Sequence, residues 1–286
     1  MVRPGLKIIF SLVLMAGILF GLVQPALAQE EEKISTGTQF PVLRAKSGES
    51  YEFEVTLTYT GGAKPREFQV ALTPPEPPNQ WFVAALQQFG GKEIAAIVLE
   101  PNKSFPDTIK VSLFPRPGYL PPPGEYTVVL KVGSGNLQTT RELKAVVTAR
   151  YEMEMLSTTG RLNTEANAGE KNTFTVRLVN TGSTAVDSLT FAANKPEGWT
   201  ITFEPEEVKG LEPGAIKDVN VIIQPADKTI AGDYVVTVRA TGREVFKTMD
   251  IRVTVLTPSI WGWVGILIVV VVIAGLGVVF WKLGRR

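Results

Sequence analysis

The chain of 286 residues is predicted to be all-β: two tandem antiparallel sandwiches carried on one C-terminal transmembrane helix. Three features predict this: strictly alternating apolar segments bounded by turn residues, an internal repeat of those segments, and an uncharged run from Val253 to Trp281.

The N-terminus reads as a signal-peptide helix over residues 1–28. Arg3 and Lys7 give a short positive region, and Ile8 to Val23 an apolar one. Ala26 and Ala28 place small residues where a signal peptidase reads, so cleavage after Ala28 is expected. An uncleaved signal anchor, giving two membrane helices, is the alternative. It is disfavoured by the abrupt polar run Gln29-Glu30-Glu31-Glu32.

Residues 29–150 carry the first set of strands. After the turn Ser47-Gly48-Glu49, apolar residues alternate from Tyr51 through Phe53, Val55 and Leu57 to Tyr59, the pattern of a half-buried antiparallel strand. Trp81 opens another strand, Ile109 to Leu113 forms a third, and Gly124-Glu125-Tyr126 leads into a fourth. Leu137 to Val147 alternates again. Phe82 to Leu86 and Ile94 to Leu99, around Gly90-Gly91, read as a hairpin over the core.

Residues 151–257 repeat the series. Ala168-Gly169-Glu170 precedes the alternation Phe174, Val176, Leu178, and Thr181-Gly182 closes it. Trp199, Val219 to Ile223, Gly232-Asp233-Tyr234 and Val245 to Val255 follow in the same order. Two copies of a seven- or eight-stranded unit with short turns predict tandem Ig-like sandwiches.

Residues 258–286 form the anchor. Ile260 to Trp281 is 22 residues, roughly 33 Å as a helix and long enough to cross hydrocarbon. Trp261 and Trp263 at one end and Trp281 at the other suit the headgroup level, with Lys282, Arg285 and Arg286 immediately beyond. The basic residues at each chain end are expected in the cytoplasm and residues 29–258 outside, giving a single-pass cell-membrane protein. Gly262, Gly265, Gly275 and Gly277 offer no pair at the four-residue spacing that brings helices together.

Composition excludes several chemistries. There is no cysteine and no histidine, which removes disulfides, thiolate nucleophiles and the commonest general base and metal ligand. Of 29 basic and 28 acidic residues, Arg3, Lys7, Lys282, Arg285 and Arg286 lie in the terminal segments, leaving 24 basic against 28 acidic between them. A mildly acidic exterior argues against nucleic acid as a partner. No catalytic, cofactor-binding or metal residues are assigned.

From Thr158 to Val255 the residues resemble the NPCBM-associated, NEW-type Ig-like domain of alpha-galactosidases. The matching segments are Ala168-Gly169-Glu170, Val179-Asn180-Thr181-Gly182, Pro196-Glu197-Gly198-Trp199, Leu211-Glu212-Pro213-Gly214, Pro225-Ala226-Asp227 and Ala231-Gly232-Asp233-Tyr234. The first half lacks both Asn-Thr-Gly and Leu-x-Pro-Gly. The overall layout is similar to uncharacterised bacterial and archaeal membrane proteins, and that resemblance implies a place beside an ABC transporter.

Four aromatic residues are expected to be structural: Trp81 and Trp199 bridging the sheets, and Tyr126 and Tyr234 as corners whose hydroxyls tie down backbone. The alternative for the tryptophans is a sugar-stacking platform. Asn180 is expected to close a turn through positive φ. The carboxylates Glu204, Glu206, Glu207 and Glu212 lack the walled cleft that a glycosidase pair needs. Asn102-Lys103-Ser104 is a glycosylation sequon by pattern. The proline-rich segment Pro115–Pro123 has two readings, rigid capping of sandwich edges or a stiffened partner-contacting loop; in the second, Arg116, Tyr119 and Leu120 make the contact. The functions weighed are a non-catalytic binding protein supporting a polytopic membrane complex such as an ABC exporter, a cell-surface module binding glycans, and, more remotely, a glycoside hydrolase.

Overall fold

The computed structural model describes residues 31–256 and 260–284, with side chains from Trp263 onward in the last segment. The expected signal peptide, the 257–259 linker, the side chain of Trp261, and Arg285 and Arg286 lie outside the described residues.

Nine strands make the first module: β1 (Lys33–Gly37), β2 (Val42–Lys46), β3 (Tyr51–Thr60), β4 (Arg66–Thr73), β5 (Trp81–Gln87), β6 (Ala96–Leu99), β7 (Asp107–Pro115), β8 (Gly124–Ser134) and β9 (Leu137–Thr148). Nine more make the second: β10 (Met153–Ser157), β11 (Asn163–Asn167), β12 (Asn172–Asn180), β13 (Val186–Asn194), β14 (Thr200–Glu204), β15 (Glu207–Leu211), β16 (Ile216–Gln224), β17 (Gly232–Thr241) and β18 (Phe246–Leu256). Helix α1 (Ile260–Leu283) closes the described chain.

The first module pairs its strands in the orders β1-β3-β7-β5 and β2-β9-β8-β4-β6. The second uses β10-β12-β16-β14 and β11-β18-β17-β13-β15. Adding nine to each label of the first module reproduces the second, so the sequence repeat is a repeat of topology. Each unit has nine strands rather than the expected seven or eight. The surplus includes strands of five residues such as β2, β11 and β15. Segments that short hold too few alternations to register as a period.

The chain forms two compact units, the first of which gathers the described residues up to Arg44, Ser50–Pro117 and Glu125–Val146. The second gathers Ala45–Glu49, Gly118–Gly124 and the described residues from Val147 onward. Within each module the apolar residues of the alternating strands face inward. Phe53, Val55 and Leu57 on β3 and Ile109, Val111 and Leu113 on β7 are buried, as are Phe174, Val176 and Leu178 on β12 and Val219, Val221 and Ile223 on β16. With no disulfide available, this burial carries stability, at about 1.5–3 kcal/mol for each large apolar side chain.

The hairpin expected from Phe82 to Leu99 is only partly formed. Gly90 and Gly91, both at positive φ, turn the chain, and Ile94 N–H donates to Ala85 O at 2.8 Å. Beyond this tip the two arms part: β5 pairs with β7, whereas β6 pairs with β4 in the opposite sheet. Ala85 on β5 and Leu99 on β6 are both buried, each facing the core from its own sheet.

Candidate functional site

The loops at one end of the second module are tied together by Asn180, which is fully buried. Its side-chain amide donates to Thr184 O and Leu211 O, each at 2.8 Å, and its Oδ1 accepts from Gly182 N–H at 2.9 Å. Its backbone carbonyl accepts from Gly214 N–H at 2.9 Å. The expected positive φ is absent: among non-glycine described residues only Asn102 has one. Asn180 serves instead as a hydrogen-bonding hub. Gly182 beside it has no room for a side chain, because a Cβ there would overlap the Arg150 carbonyl and lie 2.8 Å from Glu152 N.

In the first module Asn102 does the corresponding work from the partner loop. At φ 58° it offers Oδ1 to Gly61 N–H at 3.1 Å, and its own N–H donates to Tyr59 O at 2.8 Å. The missing Asn-Thr-Gly is thus replaced from another point in the chain, within the sequon triplet.

The four predicted core aromatics form two matching pairs. Trp81 and Tyr126 have ring centroids 4.8 Å apart, and Trp199 and Tyr234 are 5.2 Å apart, at interplanar angles of 55° and 52°. Both tryptophans are buried. The Tyr234 hydroxyl donates to Ile230 O at 2.9 Å. A buried indole offers no face for a sugar.

The proline-rich segment divides. Tyr119 and Leu120 are half-buried and Pro121 is buried, its carbonyl accepting from Ser47 Oγ at 2.7 Å. Leu120 lies over Gly48, where an added Cβ would come within 3.0 Å of Leu120 Cδ2. Arg116 stays exposed.

Arg116 is part of an aromatic cluster that the sequence reading missed. Trp81 points inward on β5, so Phe82 points outward; Leu113 points inward on β7, so Phe114 does the same. The register sets Phe82 opposite Phe114, with ring centroids 5.3 Å apart at 33°. The Arg116 guanidinium carbon sits 4.4 Å from the Phe82 ring centroid, a cation–π distance. Arg116 N–H donates to Gln80 O at 2.9 Å, fixing the backbone beneath the stack. Each phenyl ring is 38% exposed, and no ion pair to Arg116 forms among the described residues. Ala84 opposite Ser112 and Leu86 opposite Lys110 extend the same outer face, where Lys110 Nζ lies 3.9 Å from Glu52. Outward aromatics on two adjacent strands were the available signal.

Of the carboxylates weighed for acid–base chemistry, Glu207 is held by close partners. Glu207 accepts from Ser188 Oγ at 2.6 Å and pairs with Lys209 at 3.1 Å, and these contacts hold its carboxyl below the ordinary carboxylate value. A general acid needs the opposite shift. Among the described residues no cluster of three or more Asp or Glu is placed to hold a metal. Open grooves lie elsewhere among the described residues. One, of about 680 Å³ in the second module, is lined by Met155, Leu156, Leu162 and Met249; another, of about 430 Å³ in the first, by Pro74, Pro75 and Tyr126.

Helix α1 exposes every described side chain, including Trp263 and Trp281 near its ends, with Lys282 in the last turn. It is long and apolar enough to cross a membrane.

The sequence model of the NPCBM-associated, NEW3 domain of alpha-galactosidase matches residues 166–243, which lie within the second module. This is the domain that the Ala-Gly-Glu, Asn-Thr-Gly and Ala-Gly-Asp-Tyr segments resemble. No curated protein matches the chain. Among solved structures, the endo-fucoidan hydrolase MfFcnA4 of glycoside hydrolase family 107 is 14% identical with a TM-score of 0.30. The match covers 80% of this chain but 29% of the hydrolase. A protein of unknown function from Porphyromonas gingivalis W83 is 13% identical (TM-score 0.28), with coverages of 77% and 99%. The sialic acid binding region of a Streptococcus sanguinis SK1 adhesin is 10% identical (TM-score 0.27), with coverages of 79% and 78%.

Proposed function

We propose that this chain is a non-catalytic binding protein, exported by its signal peptide and held by a single membrane-spanning helix, with both sandwich modules outside the cytosol. The observation that carries the reading is α1: 24 residues, about 36 Å at about 1.5 Å per residue, apolar and exposed on all sides. A helix exposed all round, with no amphipathic stripe, suits lipid rather than a protein core. Trp263, Trp281 and Lys282 suit its two interfaces.

The contact surface in this reading is Phe82, Phe114 and Arg116 on the outer face of the first module. Two part-exposed rings, that of Phe82 beneath a cation, supply apolar area and charge in one place, a composition enriched at protein interfaces. Tyr119 and Leu120, the other residues expected at this contact, are half-buried. The partner is a polytopic membrane complex. That it is an ABC transporter rests on the family resemblance alone.

The test is mild extraction of native membranes followed by capture of the tagged full-length protein. A polytopic partner is expected to co-purify, and to be lost on deleting residues 260–281 or on Phe82→Ala with Arg116→Ala. Recovery of the protein alone under every extraction would refute the partner assignment.

A second reading, glycan binding, is favoured by the exposed phenyl pair beside a cation. Against it, the rings are tilted 33° to one another rather than forming a flat platform. Glycan-array binding by the full-length protein, abolished by Phe82→Ala, would establish this reading in place of the first.

A further inference from the structure

We propose that the loop joining β16 to β17, residues 225–231, rests on the lipid surface with Ile230 inserted at the headgroup level. The inference builds on the reading of α1 as a membrane anchor.

Chain connectivity places this loop. Gly232, at the start of β17, pairs with Val255, and β18 ends one residue later at Leu256. Helix α1 begins at Ile260, so the strand end and the helix start are separated by at most about 14 Å of chain. Ile230 precedes the Gly232–Val255 pair by two residues. When α1 crosses a bilayer, the end of the sandwich that carries Ile230 is therefore the end facing it.

The loop is built to hold that side chain outward. The Tyr234 hydroxyl donates to Ile230 O at 2.9 Å. Thr229 donates twice to Ala226 O, from N–H at 3.0 Å and from Oγ1 at 2.7 Å. Fixed in this way, Ile230 is 79% exposed, more than any other large apolar side chain described in the second module, of which the next is Ile216 at 59%. Leu256, at the same end, is 41% exposed. In the first module the corresponding loop behaves differently: Tyr119 and Leu120 are half-buried and Pro121 is buried.

The remaining side chains at this end fit a neutral surface. Glu170, Glu197 and Asp227 balance Lys171, Lys195 and Lys228, and all six are exposed. Balanced charge gives no preference for anionic lipid, while the lysine stems can lie along the interface with their ammonium groups in water. The occupant of this corner is therefore the zwitterionic headgroup layer of the membrane that α1 crosses.

The chain has no cysteine, so single-cysteine variants report one position each. The full-length protein, reconstituted in phosphatidylcholine vesicles, is labelled with a nitroxide at Ala231→Cys, Arg243→Cys or Val271→Cys. Collision with oxygen is then compared with collision with a water-soluble nickel chelate. Arg243 lies in the β17–β18 hairpin at the far end of the module, about 30 Å away along a ten-residue strand. The label at 271 is expected to meet oxygen only, and that at 243 to meet nickel freely. At 231, beside the native Ile230, nickel accessibility is expected about threefold below that at 243, an interfacial depth. Adding Ile230→Asp to the Ala231→Cys variant is expected to restore it. Equal nickel accessibility at 231 and 243, with 271 still buried in lipid, would overturn the loop contact and leave the anchor standing. Nickel access at 271 would overturn the anchor, and the contact with it.

Discussion

Asn180 shows how much one side chain can decide in a sandwich without disulfides. Its amide satisfies two carbonyls and its oxygen one N–H, with the bonds to Leu211 O and Gly182 N–H buried and that to Thr184 O part-buried. Asn180→Ala strands these groups away from water and is expected to lower unfolding free energy by about 2–4 kcal/mol, measured by denaturant titration. Asn102 makes the analogous contact from an exposed position at φ 58°, a backbone geometry that glycine adopts freely. Asn102→Gly is therefore expected to cost less than about 1 kcal/mol in the same titration. Trp199→Ala, which removes a buried indole packed against Tyr234, is expected to cost about 3–5 kcal/mol.

At the scale of elements, ion pairs staple the outer faces of the second module's sheets. Arg177 on β12 holds Asp218 on β16 through two bonds of 2.8 Å, and Arg252 on β18 holds Asp233 on β17. The bond from Arg177 lowers the Asp218 carboxyl below its ordinary 3.8. Those from Arg252 and then Thr254 lower Asp233 in the same direction. A lowered folded-state value means that the stabilisation is complete above the unfolded value and is lost as pH falls through the folded one. The melting temperature of the second module is accordingly expected to decline as pH drops below about 4, with a shallower decline in Asp218→Asn. Both pairs are exposed, so about 1 M salt is expected to flatten the effect further.

For the whole molecule, topology repeats strand for strand while surface chemistry does not. The first module sets an aromatic and cationic cluster on one outer face. The second leads into the long apolar helix α1 and turns Ile230 outward at the end of the sandwich where β18 finishes. Repetition of the frame with divergence of the exposed positions is expected where one duplicated fold takes two tasks, because core positions answer to packing and surface positions do not. Protease added to intact cells is expected to digest both modules and leave a fragment containing α1, read by an antibody to a C-terminal tag. Survival of the intact chain would contradict the proposed orientation.

The sequence by itself determined the all-β class, the duplication, the apolar helix, and the inward placement of Trp81 and Trp199. These depend on period-two alternation and on turn residues, which are local properties of the chain. The tertiary structure decided the rest. It split the Phe82–Leu99 segment between two sheets and tucked Tyr119 and Leu120 down while Arg116 stayed out. It also brought Phe82 and Phe114 together although 32 positions separate them. It gave Asn180 and Asn102 the same loop-tying work from different places in the chain. Such outcomes depend on which strands lie side by side and in what register, and contacts between distant segments leave no trace in a local pattern.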